Sequence, residues 1–139
     1  MSVEDYVSFQ IKTLKKNNTK VLCASGLTAE IPNDEKLFDE VAKKYIEALN
    51  SHEKIAVMID FRKTEKVNPK MVWKKIGEHV AEIKKAADKS MICSTPLVKG
   101  KLVKGIVNSV INVYPDSIPV KVCESNAEAI EFINSQIKN

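Results

Sequence analysis

Residues 55–75, IAVMIDFRKTEKVNPKMVWKK, decide the fold of this chain. Residues 55–59 are an unbroken apolar run, which is typical of a central strand covered on both faces. The run ends at Asp60. Further on, Asn68 before Pro69 fits a helix cap followed by the first helical position. Because a strand followed by a helix is the repeating unit of a parallel sheet, this stretch predicts an α/β fold.

The flanking sequence extends this unit to the order ββαβαβαβα. The predicted elements are strands at 6–14 and 20–26, a helix opened by 32–34 and ended by 50–52, a strand at 55–59, a helix from 69 to about 88, a strand at 91–94, a helix near 97–114, a strand at 119–123 and a last helix capped by Ser125 or Asn126. In that last helix the predicted inner stripe is Ala129, Ile130, Ile133 and Ile137. The alternation of strands and helices requires right-handed crossovers. We therefore predict one α/β domain over 1–139, with a mixed, mostly parallel five-stranded sheet and about four helices.

Composition narrows the class of protein. With 139 residues, 44% hydrophobic and 29% charged, the chain is typical of a globular domain. Cys23, Cys93 and Cys123 lie in apolar runs without close pairs, which predicts buried reduced thiols and argues against a zinc site or a disulfide scaffold. The chain has no apolar run long enough to span a bilayer and no signal-peptide pattern at its start. We therefore expect a cytoplasmic protein without metal or cofactor.

Motifs for catalysis and nucleic-acid binding are missing from the sequence. It contains no GxxxxGK[ST], GxGxxG or GxSxG pattern, and His52 and His79 lie far apart. Asp60 has no second acid or histidine beside it in sequence to act as a partner in acid–base chemistry. The net charge of +4 comes almost wholly from lysine, with Arg62 the one arginine, which argues against nucleic acid. The sequence therefore predicts a protein that is not an enzyme.

The element order, and the acidic end of the strand in IAVMIDFRKTEKVNPKMVWKK, resemble the STAS family of sulfate transporters and anti-sigma-factor antagonists. In that family the loop after the aspartate leads to a serine or threonine that opens the next helix and is phosphorylated in bacterial signalling members. Here Asn68-Pro69-Lys70 stands at that place, and Thr64 lies too early. The resemblance therefore implies the fold without the phosphorylation switch. Sec14-type lipid carriers have a related arrangement, which makes lipid binding an alternative.

Lysines at the starts of the second and third predicted helices form the main candidate site. In a doubly wound fold these starts would share one sheet edge with Asp60, where free N–H groups and lysines suit an anion. The candidate ligand- or partner-binding residues are Asp60, Arg62, Lys70, Trp73, Lys74, Ser94, Thr95, Lys99, Lys101 and Lys104. Trp73 would add apolar contact and the two hydroxyls hydrogen bonds. The alternatives are a loop-capping Asp60 paired with Arg62, and lysines that serve solubility alone.

The third predicted helix is more apolar than a helix that covers one sheet face needs to be. Its apolar side chains are Leu102, Val103, Ile106, Val107, Val110, Ile111, Val113 and Tyr114. The excess can pack against a neighbouring helix, form a homodimer or partner surface, or line a pocket. The leading hypothesis is a non-catalytic interaction or regulatory module for an acidic protein partner, a phosphorylated ligand or an anionic lipid head group. The alternative, a small-ligand or lipid carrier, requires an apolar cavity of several hundred Å³.

Overall fold

The structure, a computed structural model, describes residues 2–111 and 117–137. A short 3-10 turn, Val3–Asp5, precedes the strands β1 (Val7–Thr13), β2 (Lys20–Gly26), β3 (Ile55–Asp60) and β4 (Met91–Leu97) and the helices α1 (Glu35–Asn50), α2 (Pro69–Ser90), α3 (Lys101–Val110) and α4 (Asn126–Gln136). The sheet order is β1-β2-β3-β4, with β1 antiparallel to β2 and the other pairs parallel. The predicted α/β class and mixed, mostly parallel sheet are confirmed.

Within the described ranges the sheet has four strands rather than the predicted five. Residues 119–123 run parallel to β4 but meet it only at two isolated bridges, Ser94–Val120 and Leu97–Cys123. Along this edge the amides of Ser94 and Val98 donate to the carbonyl oxygens of Pro119 and Cys123 at 3.0 and 3.1 Å. Pro96 lies between them and has no N–H to donate, so the ladder lacks a rung. The fifth strand is therefore reduced to an irregular run along β4.

The third helix begins later than predicted. Leu97 is the last residue of β4, and α3 starts at Lys101. Gly100 stands immediately before the helix with φ +93°, a conformation that glycine adopts readily and other residues avoid. The predicted end of this helix, with Val113 and Tyr114, lies outside the described residues. The other helix starts agree with the sequence, since Asp34, Asn68 and Ser125 each cap a helix by accepting a backbone N–H.

Each face of the sheet is covered by different helices. On one face Leu22 and Val57 pack with Tyr45 and Leu49 of α1 and with Ile83 of α2. Side chains alternate along a strand, so the residues next to them in sequence face the other way. There, Val21, Ala56 and Cys93 pack with Ile133 of α4. The consequence is a sheet between two helical layers.

The three cysteines are free thiols, and Cys93 and Cys123 are buried. Burial raises the pKa of the Cys93 thiol to about 11, so it stays protonated at neutral pH.

Among the helices of the described ranges, none is long and apolar enough to cross a bilayer.

Candidate functional site

A cavity of about 270 Å³ lies between the sheet and the first three helices, towards the carboxyl ends of the parallel strands. Its lining is almost wholly apolar. The walls include Phe38 and Val41 of α1, Val72 and Ile76 of α2, and Ile106, Val107 and Ile111 of α3. In open α/β sheets ligands bind beyond the carboxyl ends of the strands, so the cavity lies where this fold class places its sites.

The floor of the cavity is set by the register of three strands. Ala24 of β2 pairs with Phe9 of β1 on one side and with Ile59 of β3 on the other. All three residues line the cavity. A small side chain between two large ones leaves a depression in the sheet surface. This depression arises because the residues of β2 that face the cavity at this end, Ala24 and Gly26, are small.

The loops after β2 and β3 close the end of the cavity. Glu65 and Lys66 both donate their N–H groups to the carbonyl oxygen of Ala29, at 2.7 and 2.9 Å. Thr64, in the second of these loops, is only 3% exposed. Its Oγ1 has no hydrogen-bond partner among the described residues. A Cβ on Gly26 would lie 2.9 Å from this oxygen, so the close approach of the loop to β2 requires glycine there.

Lys75 is a buried charge at the wall of the cavity, 7% exposed. Its Nζ lies 2.8 Å from Glu78, 3.0 Å from Asp39 and 3.4 Å from Glu35. Hydrogen bonds to these carboxylates, Glu78 foremost, raise the pKa of Lys75. Lys75 is therefore a cation at neutral pH, and its ammonium lies among the carboxylates of α1 and α2.

Two of these carboxylates, those of Asp39 and Glu78, also belong to a cluster of potential metal ligands. Asp39, Glu78 and His79 bring potential ligand atoms within 4.8 Å of one another. The His79 Nε2 bonds Asp39 at 3.0 Å, and this bond, with the ammonium of Lys75, lowers the pKa of Asp39. Since the ammonium of Lys75 already contacts both carboxylates, the cluster is an ion-pair network between α1 and α2.

Asp60 is engaged by its own loop. Its Oδ1 accepts the backbone N–H and the Nε–H of Arg62, each at 3.0 Å, and its Oδ2 accepts from Nη2 at 2.8 Å. Arg62 Nη2 also donates to Asn126 Oδ1 at 3.0 Å, which ties the loop to the start of α4. The guanidinium lowers the pKa of Asp60. Of the two interpretations of Asp60, the geometry agrees with the loop cap paired with Arg62.

Asp60→Asn should destabilise the protein by about 1 kcal/mol at pH 7. This is less than the loss of a fully buried ion pair would cost, because the Asp60–Arg62 pair is partly solvated. The folded-state pKa of Asp60 is lowered, so its contribution is complete above the unfolded value of about 3.9. It is lost as the pH falls through the folded value. Urea unfolding of both proteins between pH 7 and pH 2.5 would check this, and a difference that stayed constant at acid pH would contradict it.

Two of the five predicted lysines form ion pairs with carboxylates. Lys74 pairs with Glu35, and Lys104 lies 3.8 Å from Glu124. Lys70, Lys99 and Lys101 are exposed and form no ion pair with another described residue. Trp73 is 47% exposed on the first turns of α2. The structure therefore leaves Lys70, Trp73, Lys99 and Lys101 available at the surface.

Ser94 and Thr95 were expected at that surface, and this placement is wrong. Both are fully buried in β4, and Thr95 Oγ1 donates to the carbonyl oxygen of Val57 at 3.3 Å. The reason is that helices cover both faces of β4, α2 on one face and α4 on the other, while residues 119–123 run along its outer edge. Sequence reasoning in turn missed Ala24, Gly26 and the buried hydroxyl of Thr64. Three small residues at the end of β2 were the available signal.

Comparisons with known proteins establish only the fold of this chain. No protein-family model matches the chain, and no curated protein sequence does. A crystal structure of an uncharacterised protein of the DUF3478 family, with a SpoIIAA-like fold, from Shewanella loihica PV-4 is similar with a TM-score of 0.60. It is 12% identical, and the match covers 91% of this chain and 93% of that one.

The second similar structure is the anti-sigma factor antagonist SpoIIAA in its unphosphorylated form. Its TM-score is 0.54 at 15% identity, with 95% of this chain and 100% of that chain covered. Identities this low establish architecture alone. The chain therefore has the SpoIIAA-like fold, which is the fold of STAS domains.

Proposed function

We propose that this protein is a non-catalytic domain that binds a small apolar ligand in the cavity between its sheet and α1, α2 and α3. The observation that carries the proposal is an almost wholly apolar cavity of about 270 Å³. Small-molecule sites begin at roughly 300 Å³. An apolar cavity of about 150 Å³ takes benzene, with its six non-hydrogen atoms, so this cavity has room for roughly ten.

This function corresponds to the carrier, which was the alternative hypothesis drawn from the sequence. A carrier required an apolar cavity of several hundred Å³ with the third helix in its wall. The cavity, at about 270 Å³, lies just below that size, and Ile106, Val107 and Ile111 of that helix line it. Part of the apolar surface of α3 therefore faces the interior of the protein. The side chains of Leu102, Val103 and Val110 lie outside the described parts of the chain.

The expected affinity follows from the size of the ligand. Burying about eight methylene groups contributes roughly 6 kcal/mol. Association takes back part of this; at roughly 0.5 kcal/mol per non-hydrogen atom, the nine atoms of 1-octanol give about 4.5 kcal/mol, so we expect a Kd in the millimolar range. A natural ligand that also makes polar contacts would bind more tightly than 1-octanol.

Two measurements test the proposal. Native mass spectrometry of protein purified without denaturation should show a bound mass that is lost on denaturation. An NMR titration with 1-octanol should shift the signals of Ala24, Ile59, Val72 and Ile106, and leave Ile133 on the opposite face of the sheet unchanged. Bare protein together with no shift at the lining residues would refute the proposal.

An interaction module is the second candidate, favoured by one surface feature. Trp73 is 47% exposed, and Lys70 stands beside it without an ion pair to any described residue. Exposed tryptophans are common at interaction hot spots. One structure of similar fold is named an anti-sigma factor antagonist, which supports a regulatory protein–protein role.

The surface of this second candidate comprises Lys70, Trp73, Lys99 and Lys101, and its partner would be acidic: a protein, a phosphorylated ligand or an anionic head group. Trp73 is the one tryptophan of the chain, so its fluorescence reports contact directly. Charge reversal at Lys99 and Lys101 that left all such binding unchanged would remove this candidate. Native mass spectrometry would also detect a homodimer.

A further inference from the structure

The strand β1 forms an open edge of the sheet. The amide of Leu14 donates to the carbonyl oxygen of Thr19 at 2.9 Å. At the other end of the strand, the carbonyl oxygen of Tyr6 accepts from the amide of Leu27, also at 2.9 Å. Because the backbone groups of an antiparallel strand alternate in direction, the even-numbered residues of β1 face β2. The odd-numbered residues direct their N–H and C=O groups outwards, where no other strand of the described chain pairs with them: Val7, Phe9, Ile11 and Thr13.

This edge has few of the features that prevent edge strands from pairing. Natural proteins block such edges with proline, a bulge, charged side chains or a covering element. The strand β1 contains no proline, pairs with β2 without a register shift, and has one charged residue, Lys12, near its end. Ile11, on the α1 side of this edge, is 43% exposed. Next to it runs a groove between β1 and α1, lined by residues 7–10 and by Lys44, Glu47, Ala48 and Ser51.

The charges around β1 are complementary to those of a second copy of the chain. Two copies of the strand can pair antiparallel about a twofold axis at Gln10, so that residues equally distant from Gln10 on either side lie opposite each other. Asp5 then lies opposite Lys15 of the second copy, and Glu4 lies opposite Lys16. Asp5, Lys15 and Lys16 are exposed and form no ion pair with another described residue. Opposite charges therefore meet at both ends of the paired strands, which favours this orientation and register.

The same register suits the apolar side chains. Phe9 lies opposite Ile11 of the second copy, and both direct their backbone groups outwards, so this pair exchanges two hydrogen bonds. Lys12 lies opposite Ser8, so no like charges meet within the strands. Ile11 of each copy reaches the groove of the other, beside Phe9 and Ala48. This contact removes the exposed side chain of Ile11 from water, which favours association.

We propose that the protein forms a symmetric homodimer in which the β1 strands of two copies pair antiparallel, centred on Gln10, and join the two sheets into one. The dimer contact lies at the β1 edge of the sheet, away from the surface formed by Lys70, Trp73, Lys99 and Lys101. The inference goes beyond the proposed function and does not depend on whether the cavity binds a ligand.

Sedimentation-velocity measurements on the full chain between about 1 µM and about 1 mM test the proposal. We expect wild-type protein to pass from monomer to dimer within this range, because paired edge strands bury less surface than a large obligate interface. Ile11→Lys should raise the Kd of the dimer at least about tenfold, since it places a charge in the groove near Lys44 of the second copy. Ile130→Lys changes an isoleucine of similar exposure, 38%, on α4 and should leave the Kd unchanged.

A charge swap tests the register. Lys15→Glu places like charges opposite each other at two symmetric positions and should raise the Kd about tenfold. The double variant, Lys15→Glu with Asp5→Lys, restores opposite charges and should return the Kd to within about threefold of the wild type. Both effects should shrink at high salt, because these side chains are exposed.

Wild-type protein that stays monomeric up to about 1 mM would overturn the proposal and leave the edge to an extended strand of another protein. A dimer that tolerates Ile11→Lys, or one that the charge swap fails to restore, would contradict it as well. In those cases the two copies meet at another surface or in another register. Circular dichroism and thermal unfolding of each variant establish that it is folded, so that a lost dimer is not the result of a lost fold.

Discussion

Replacing Ala24 by phenylalanine should abolish the binding of 1-octanol and leave the protein folded. Ala24 lies between Phe9 and Ile59 at the floor of the cavity, and its Cβ is directed into it. A benzyl group there takes up a large part of the 270 Å³ that the ligand would use. We expect affinity to fall at least about a hundredfold, which is about 2.7 kcal/mol.

The variant should remain stable because aromatic residues are favourable in strands and the ring enters existing space. Any residual strain should cost no more than about 1–3 kcal/mol. Cys23→Val is the matched control, since Cys23 is the preceding residue of the same strand and packs on the α4 face. It should bind 1-octanol like the wild type. Retained binding by Ala24→Phe would mean that the ligand lies elsewhere.

Ile133→Ala should be among the most destabilising single changes in this chain. Ile133 is fully buried and packs with Val21, Ala56 and Cys93, so α4 covers this face of the sheet through it. Truncating a buried isoleucine leaves a cavity and costs about 2–5 kcal/mol. Urea unfolding followed by circular dichroism measures the loss as a lower midpoint with an unchanged m-value.

Ile130→Ala on the same helix is the matched control. Ile130 is 38% exposed, although the sequence pattern placed it on the inner stripe with Ala129 and Ile133. We expect a change below about 1 kcal/mol. Equal losses at the two positions would show that α4 does not pack as described. Octanol binding by the folded fraction of Ile133→Ala should persist, because the cavity lies on the other face.

The local part of the fold could be predicted from the sequence. The bounds of β2 and the start of α2 agree with the prediction, since they depend on alternating apolar residues and on the cap at Asn68. The prediction was wrong where a single backbone group decided the outcome. The missing N–H of Pro96 interrupts the fifth strand, and the positive φ of Gly100 delays α3.

The site could be predicted less well than the fold. The sequence offered Asp60, Ser94 and Thr95 as surface groups because each stands at the end of a predicted strand, at one edge of the sheet. Whether such a side chain reaches solvent depends on what packs beside the strand. Here residues 119–123 cover the outer edge of β4, and Arg62 occupies the carboxylate of Asp60.

The sequence by itself determined the class of fold, the order of the four strands and four helices, and most helix starts, because these depend on neighbours within a few residues along the chain. The tertiary structure alone decided the cavity. Its floor needs Phe9, Ala24 and Ile59 in one register across three strands, and the loop at its end needs Thr64 against Gly26, 38 positions apart in the numbering. Empty volume is a property of the distances between packed elements, and no stretch of sequence encodes those distances locally.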